Sequence, residues 1–536
     1  MKKRIAAVML ALALAGTMTA GCSNAAPSGA DVSQEMQEPA GVTEEEPKEE
    51  APAESEAAPK EEKAEEKEPA KTEEEIHGDG LSVNVEKEFV SRTDDESKVI
   101  AYGHYPVLKV SGKDCAGLAS ALDSLTEKLK KDVEGNLDEI AGFAKDDIKD
   151  GRELPGGYYT YNCDALVTRA DEKAFSVLLT YDTFSGGAHP TSWYETHVYD
   201  SKTGDELNIG NVAQDTDALP KLLADRLLSE YDKETFFDEN VEGMIREAWE
   251  DEGNYVFTLD NSGICFYFSA YQIAPYAAGS QIVTFPYADN KDLVKPEYAA
   301  DGGDAIEGIV PQKKYMISGK KVSFAWYANY EDDYEYEFNI SVDGTESTEN
   351  LTCAGMQPYL VSSKGQYYIY VNELQMNDYQ SLDIYTVNGS GLKKAGTFDR
   401  GFRSVSPTDP AAFDLAGRTD LLSTNNTYRS YHVGDNGIPA PNEEYDHVIG
   451  SVSEKLTLKK DIEADVFADE NASESEKVKL TKGTVLYYFR TDDETFMDMK
   501  MEDGRIVRFF PKTGDWPQTI DGTDIEEIFD GVMFAG

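Results

Sequence analysis

The chain has few basic residues for its length. Its 536 residues include 50 Lys and Arg against 102 Asp and Glu, which gives a formal net charge of -52. A surface of this sign repels nucleic-acid phosphates and anionic lipid headgroups, so we exclude both as direct partners. The same charge suits a soluble protein, or one that attracts cations or a basic protein partner.

Cysteine and histidine are also scarce, with 5 and 6 residues. The four cysteines of the later chain form no Cys-x-x-Cys pair and no zinc-ligand spacing: Cys115, Cys163, Cys265 and Cys353. Their spacing excludes a zinc module and assigns no disulfide pairing. The sequence also lacks Gly-x-Ser-x-Gly and any evident Ser-His-Asp arrangement, which excludes the common hydrolase motifs.

The N-terminus carries an apolar run that is too short to span a membrane comfortably. Lys2 to Arg4 precede an apolar stretch from Ile5 to Ala15. The stretch ends at Thr19 to Cys22, which resembles a bacterial lipoprotein signal, although Thr19 stands where that family prefers Leu. The resemblance implies lipidation of Cys22 after export, at the outer face of the bacterial cytoplasmic membrane. The alternative is ordinary signal-peptidase cleavage.

Residues 23–80 are rich in Glu, Ala, Pro and Lys and have almost no large apolar side chains. Such a segment cannot bury a core, and its acidic residues repel one another. Proline interrupts any helix at four positions: Pro47, Pro52, Pro59 and Pro69. We therefore predict a disordered, extended linker after a signal peptide at residues 1–22.

Residues 81–300 combine strand and helix patterns. Alternating segments on either side of residues 116–150 predict strands. Between them, apolar residues recur every three or four positions, which predicts one long amphipathic helix with these inward residues: Leu118, Leu122, Leu125, Leu129, Val133, Leu137 and Ile140. Further helices are predicted at Leu219–Leu227, with N-cap candidates at 215–217, and around Val241–Trp249, before a three-stranded meander. The order predicts an α+β unit with an antiparallel sheet.

Three stretches of this unit resemble a known extracytoplasmic module. They are the turn Phe184–Pro190, the strand pair Tyr194–Ile209 and the loop Tyr271–Gly279. The module is the two-part domain found in the RsiV anti-sigma factor and beside the catalytic domain of the PdaC peptidoglycan deacetylase. The resemblance covers roughly residues 81–295. In RsiV the module binds lysozyme, so the resemblance implies a binding or sensing role.

The parts that accompany this module in those proteins are missing. No sigma-binding segment precedes the signal and no later membrane span follows, so we expect no anti-sigma factor of that layout. A PdaC-like catalytic domain needs a Thr-Phe-Asp-Asp motif and paired histidines. After residue 300 only His432 and His447 occur, fifteen residues apart.

The rest of the chain is predicted to be all-β. Residues 301–450 alternate apolar and polar residues between glycine turns, which predicts a small sandwich or a few propeller-like blades. Within this region, Arg400–Pro441 is predicted to be loop-rich. Residues 451–536 place hydrophobic runs around the turns Lys482-Gly483 and Asp503-Gly504, which predicts a small SH3-like barrel.

His189, Glu195 and His197 are candidate metal ligands. Trp193, Glu195 and His197 share one strand face because they are two residues apart. A metal site needs a third or fourth ligand from elsewhere, and the spacing supplies none. We therefore favour a turn histidine and an exposed strand face, and we predict neither metal nor cofactor.

The better candidate is a recognition surface made from two segments. Glycines beside His189 allow a positive-φ turn, and the tyrosines and proline of the 271–279 loop offer rigid, amphipathic contact area. We predict that seven residues contact a ligand: Gly186, Gly187, His189, Tyr271, Pro275, Tyr276 and Gly279. The alternative is a structural loop whose tyrosines pack on the sheet.

Together these patterns predict a non-catalytic, lipid-anchored extracytoplasmic protein that binds or senses a cell-envelope ligand. The ligand classes left open are peptidoglycan and a basic protein such as lysozyme. The alternative function is a cell-wall glycan-modifying enzyme or an accessory to one, acting through a site without a familiar motif.

Overall fold

The structure, a computed structural model, describes residues 81–300, 302–328, 334–375, 379–388, 391–514 and 516–535. All of them fall within one compact unit, Glu68–Gly536. Two predictions, the lipidation of Cys22 and the acidic linker over residues 23–80, lie outside the described residues. The part described is mostly β, with several sheets and a few helices.

The first layer is a five-stranded sheet with one long helix. Its elements are β1 (Ser82–Thr93), β2 (Val99–Ser111), α1 (Ala116–Lys149), β3 (Tyr159–Ala170), β4 (Ala174–Phe184) and β5 (Thr191–Asp200). The strands lie side by side in chain order. β2 and β3 are parallel, whereas the other neighbours are antiparallel. The predicted antiparallel sheet is therefore wrong at this pair, because α1 carries the chain back far enough for a parallel return.

One face of α1 fills the core against this sheet. Every predicted inward position of the helix is buried, from Leu118 to Ile140, so the predicted amphipathic helix is confirmed. Gly103 of β2 permits a close approach between strands: a Cβ there would lie 2.0 Å from the carbonyl oxygen of Tyr161 and 3.4 Å from Leu137. We call the sheet face under α1 the covered face and the opposite one the far face.

A second layer packs on the far face. It contains α2 (Ile209–Val212), α3 (Leu219–Glu230), α4 (Val241–Ala248), β6 (Phe257–Leu259), β7 (Gly263–Phe268) and β8 (Gln281–Pro286). The three strands form the predicted antiparallel meander. Leu178 of β4 and Cys265 of β7 share one apolar cluster. The backbone N–H of Phe257 donates to Thr196 Oγ1 at 3.1 Å, which fixes β6 beside β5.

The start of α3 differs in detail from the prediction. Ala218 is the N-cap residue, and no side chain caps the helix from that position. Asp215 instead accepts hydrogen bonds from the backbone N–H groups of Asp217 and Ala218, at 3.1 and 3.2 Å. Pro220 lies in the first turn as predicted, where the helix needs no N–H from it.

Two further sheets follow the second layer. They contain β9 (Ala305–Gly308), β10 (Lys314–Ile317), β11 (Lys320–Ala328), β12 (Glu335–Val342), β13 (Thr345–Thr352), β14 (Gly355–Ser363), β15 (Gln366–Leu374), β16 (Gln380–Asn388) and β17 (Gly391–Phe398). One sheet has the order β10-β11-β12-β13, and the other β17-β16-β15-β14-β9. Phe324 and Phe338 of the first share a core with Ile369 and Val371 of the second, so the sheets pack face to face.

The last elements join in one large sheet. They are β18 (Gly401–Phe402), β19 (Phe413–Thr419), β20 (Asn425–Val433), β21 (Pro439–Pro441), β22 (Asp446–Ser451), β23 (Lys455–Leu458), β24 (Ile462–Phe467), β25 (Ser475–Leu480), β26 (Val485–Thr491), β27 (Met497–Met501), β28 (Ile506–Phe509) and β31 (Phe529–Asp530), and beside it lie the hairpin β29 (Thr519–Ile520) with β30 (Thr523–Asp524) and α5 (Ile525–Ile528).

Two predictions for this region change. The segment 400–441, predicted to be loop-rich, contains β19 and β20, and β19 pairs with β20 over its whole length. β22 pairs with β26, so the sheet crosses the predicted boundary at residue 450. The region is β-rich as predicted, while an SH3-like barrel stays a prediction.

The four cysteines of the described chain are free thiols, and all four are buried. Burial raises the pKa of the Cys265 thiol to about 12. A thiol needs to lose its proton to react, so these side chains behave as small apolar core residues.

A buried charge cluster joins the second layer to the sheets that follow. Lys313 Nζ lies 2.8 Å from Asp260 Oδ2 and 3.6 Å from Glu307 Oε1. All three side chains are less than a tenth exposed. One ammonium group faces two carboxyl groups, so the pair with Asp260 is balanced and Glu307 is the excess acid. Burial raises the pKa of Glu307 to about 7.

Replacing Glu307 with glutamine is expected to remove a pH-dependent loss of stability. The pKa of Glu307 is higher in the folded chain than its ordinary value of 4.5. Its contribution is therefore complete below about pH 4.5 and is lost as the pH rises through about 7, by roughly 3 kcal/mol in all. Urea denaturation at about pH 5 and about pH 8 gives the free energy of unfolding of both chains. The value for Glu307→Gln should rise relative to that of the unsubstituted chain at the higher pH. An equal difference at both pH values would contradict the assignment.

Candidate functional site

The β4–β5 hairpin presents His189 at one end of the first sheet. Gly186 and Gly187 have φ values of 90° and 107°, which residues with a Cβ rarely adopt. A Cβ on Gly186 would also lie 3.1 Å from the hydroxyl of Tyr159. After this turn, His189 Nδ1 lies 2.8 Å from the carbonyl oxygen of Pro190, and as an N–H it donates to that acceptor. The predicted glycine turn thus holds the imidazole in place.

The β7–β8 connection, residues 269–280, presents two tyrosines. Its middle is pinned by Ile273 and Ala274, which are fully buried. Tyr271 has a φ of 67°, a strained value for an aromatic residue, and its backbone N–H donates to the carbonyl oxygen of Ala274 at 3.0 Å. Gly279 also has a φ of 67°, and its carbonyl oxygen accepts from Gln281 Nε2 at 2.8 Å. The loop is therefore fixed from both ends.

The two segments meet, and their rings stack. The ring centroids of His189 and Tyr276 are 3.8 Å apart with 17° between the planes. Tyr271 and Tyr276 stack at 5.7 Å and 29°. Tyr271 is 56% exposed and Tyr276 37%, so much of this surface faces solvent. We call His189, Tyr271 and Tyr276 the aromatic shelf.

Contacts between β5 and the second layer hold the shelf beside β5. Tyr194 of β5 packs against Tyr267 of β7, with ring centroids 5.4 Å apart. The backbone N–H of Tyr194 donates to Ser269 Oγ at 3.0 Å, at the start of the loop. Pro275 is exposed and opens the short helical turn that carries Tyr276. All seven residues predicted to contact a ligand therefore lie in the two segments that form the shelf.

The other histidine of the hairpin lies elsewhere. His197 is buried, and its Nδ1 lies 2.5 Å from Glu206 Oε1. The hydrogen bond with His197 lowers the pKa of Glu206. Trp193 stacks on Tyr181 at 4.8 Å on the covered face, so the predicted exposed strand face is wrong. In the ranges that the structure describes, no group of three or more His, Cys, Asp or Glu side chains could hold a metal ion.

A cleft that the sequence did not indicate lies between the first sheet and the last one. Its volume is about 420 Å³. In its wall, the Arg403 guanidinium lies 4.2 Å from the centre of the Tyr428 ring, and His447 stacks on the same ring at 5.1 Å. His447 Nε2 lies 2.6 Å from Glu443 Oε2, and Arg403 Nη1 donates to Asp414 Oδ2 at 3.3 Å.

The charges of this cleft are mutually paired. The hydrogen bond with Glu443 raises the pKa of His447. Burial acts to raise the pKa of Glu443, but the hydrogen bonds from His447 and Ser430 and the charges of His447 and Arg429 together outweigh it, and the pKa is lowered. The spacing of Glu443 and His447, four residues apart, was the available signal in the sequence. A spacing of four residues indicates a contact only on a helix, and no helix is predicted there.

One family model matches part of this fold. Residues 212–288 match the family described as "Protein of unknown function (DUF3298)". The match covers α3, α4 and the meander β6–β8, and it contains the loop that carries Tyr271 and Tyr276. Residues 212–288 of the second layer thus form a DUF3298 domain, which is consistent with the RsiV/PdaC-like module that the sequence resembles. No curated protein matches the chain.

Two solved structures of this family are similar to the chain. A DUF3298 family member from Bacteroides fragilis has 18% identity and a TM-score of 0.32, and the match covers 41% of this chain and 96% of that one. A DUF3298 family protein from Pseudomonas aeruginosa has 17% identity and a TM-score of 0.27, and the match covers 42% of this chain and 99% of that one.

Within the described ranges, no helix has both the length and the apolar character needed to cross a membrane.

Proposed function

We propose that this chain is an exported, lipid-anchored binding protein without catalytic activity, whose aromatic shelf binds a glycan of the bacterial cell envelope such as peptidoglycan. The observation that carries the proposal is the stacking of His189, Tyr276 and Tyr271 in one solvent-facing surface. The lipid anchor at Cys22 and the acidic linker are part of the proposal, and they would hold the shelf away from the membrane.

Aromatic side chains suit a sugar ligand for a physical reason. The face of an aromatic ring carries partial negative charge, so it attracts the weakly positive C–H groups on the face of a sugar ring. Tyrosine offers this area with few rotatable bonds, so little conformational entropy is lost on binding. The strained φ of Tyr271 also fits a loop whose conformation serves binding, because such strain collects at functional sites.

A basic protein such as lysozyme is the second candidate ligand. The formal net charge of -52 would attract it over some distance and accelerate encounter. The resemblance to the RsiV/PdaC-like module supports the same candidate. We place the glycan first because the shelf consists of aromatic rings and includes no acidic side chain.

Replacing Tyr276 with alanine is expected to weaken retention of the full-length chain on purified insoluble peptidoglycan by about tenfold, or ~1.4 kcal/mol. Tyr276 is the middle ring, so its loss removes both stacking contacts. The measurement is a sedimentation assay at increasing amounts of peptidoglycan.

Tyr487→Ala is the matched control, because Tyr487 of β26 is 39% exposed, close to the 37% of Tyr276. It should sediment like the unsubstituted chain. A parallel arm uses immobilised lysozyme. If the folded chain binds neither material, or if Tyr276→Ala binds peptidoglycan unchanged, the proposal is wrong. Lysozyme binding that depends on Tyr276, without peptidoglycan binding, would assign the shelf to a protein ligand.

A further inference from the structure

A second group of exposed rings lies near the opposite edge of the first sheet, at β1 and β2. Phe89 of β1 lies 5.9 Å from Tyr102 of β2, and Tyr102 lies 5.9 Å from Tyr158, which immediately precedes β3. Phe89 is 60% exposed and Tyr158 41%. Monomeric proteins rarely leave several large rings together in solvent without a partner. We call Phe89, Tyr102 and Tyr158 the second aromatic row.

This row lies on the far face, the face on which the shelf also lies. Tyr161 faces α1, since its hydroxyl donates to Asp132 at 3.1 Å. Residues alternate between faces along a strand, and Tyr102 is in register with Thr160, the neighbour of Tyr161. Phe89 pairs directly with His104 and shares its face. On β5, Trp193 packs on the covered face, so Tyr194 points to the far face, where it contacts the layer that carries the shelf.

Hydrogen-bonding side chains occupy the far face between the two aromatic groups. Next to the second row, His104 Nε2 lies 3.0 Å from Asp164 Oδ1, and Lys87 Nζ lies 2.6 Å from the same oxygen. Nearer the shelf, Asn162, Asp182 and Ser192 lie in register on β3, β4 and β5. We call these six residues the polar floor.

The polar floor has hydrogen-bonding capacity left over. Ser192 Oγ donates to Asp182 Oδ2 at 2.8 Å, and a carboxylate accepts several further bonds. Asn162 Oδ1 is buried and has no hydrogen-bond partner among the described residues. A ligand on the surface does not reach that buried atom, so the free capacity of the floor lies in the Asp182 carboxylate, which suits a ligand with hydrogen-bond donors.

We infer that the far face binds a linear chain of uncharged sugar rings, which lies across the strands from the shelf over the polar floor to the second aromatic row. This inference rests on the proposed function and extends it from a single contact to an extended groove. Ring faces would stack on the two aromatic groups, and hydroxyl or amide N–H groups would donate to Asp182. Neighbouring strands are about 4.8 Å apart, so the five strands span roughly 19 Å. A disaccharide cannot bridge that span.

The charges of the floor argue against a basic protein at this place. Asp164 is already paired with Lys87, so it offers a cationic protein little further attraction. The ammonium group of Lys87, with a third of its side chain exposed, would repel a cationic surface. An uncharged polyhydroxylated chain meets no such repulsion.

The test is the dependence of binding on chain length, measured by calorimetry with the full-length protein and soluble N-acetylglucosamine oligomers of two and six sugars. The hexamer is expected to bind at least about tenfold more tightly than the dimer. Phe89→Ala should abolish this gain, so that its hexamer binds no more tightly than its dimer, whereas Tyr276→Ala should weaken the binding of both oligomers. Phe510→Ala is the matched control, because Phe510 is 52% exposed at a distant site.

The outcomes separate this inference from the proposed function. If both oligomers bind equally, or if Phe89→Ala keeps the gain of the hexamer, the extended groove is wrong, while a loss of dimer binding in Tyr276→Ala still supports the shelf. If neither oligomer nor peptidoglycan binds to the folded chain, both are wrong. Circular dichroism of each variant is the check that its fold is retained.

Discussion

Replacing Lys313 with methionine is expected to destabilise the chain by about 4 kcal/mol, one of the two largest effects that the structure predicts for a single substitution. Lys313 Nζ is the ammonium group that balances Asp260 at 2.8 Å, and both side chains are almost completely buried. Without the ammonium group, the buried Asp260 carboxylate keeps the hydrogen bond from Thr258 Oγ1 at 2.8 Å but loses its counter-charge. A urea denaturation curve near neutral pH measures the effect.

The double variant Lys313→Met with Asp260→Asn is the control for this prediction. It removes both charges, so it should recover a large part of the stability that the single variant loses. Glu307 opposes the recovery little, because burial raises its pKa and the loss of Lys313 removes a charge that lowers it, which favours the protonated carboxyl group. A double variant as unstable as the single one would mean that Lys313 acts through its packing.

Replacing Asp446 with alanine is expected to cost a similar amount, about 4 kcal/mol. This side chain is fully buried and lies between two arginines: Arg400 Nη1 donates to Oδ1 at 2.5 Å, and Arg429 Nη2 donates to Oδ2. Its loss leaves two guanidinium groups with less negative charge to balance them. Arginine cannot become neutral by losing a proton as a buried lysine can. Thermal unfolding followed by circular dichroism provides the measurement.

A surface ion pair in the same large sheet gives the comparison for Asp446. Asp503 and Arg505 pair at 2.7 Å, but their side chains are about half exposed. Asp503→Ala should change the stability only slightly, because exposed pairs contribute little in water. If both aspartate variants unfold at the same temperature, the buried position of Asp446 does not carry the stability assigned to it.

The sequence predicted the features that depend on near neighbours in the chain. The helix α1 was recognisable because burial of one helix face repeats every three or four residues within a single segment. The two halves of the aromatic shelf were also recognisable, because glycine and proline mark both turns and the tyrosines stand between such signals. Their direct contact, His189 on Tyr276, is what the structure adds.

The features that the sequence did not predict depend on strand partners far apart in the chain. The parallel pairing of β2 and β3 was missed because an alternating pattern shows which side chains face a core but not the direction of the neighbour. The cleft was missed for the same reason. Arg403, Tyr428 and His447 become neighbours only when β18, β20 and β22 join one sheet.

The attachment of β1 has a mechanical consequence. β1 is the first strand after the proposed tether, so any pull on the anchor enters the folded part at Ser82. Over its length β1 is bonded to β2, and at Val85 it is also bonded to the distant residues Ser404 and Val405, each at 3.0 Å. A force along the tether is therefore shared between the first sheet and the segment that holds Ser404 and Val405. Because β1 is hydrogen-bonded to β2 and also to Ser404 and Val405, a force that detaches it must break both sets of hydrogen bonds.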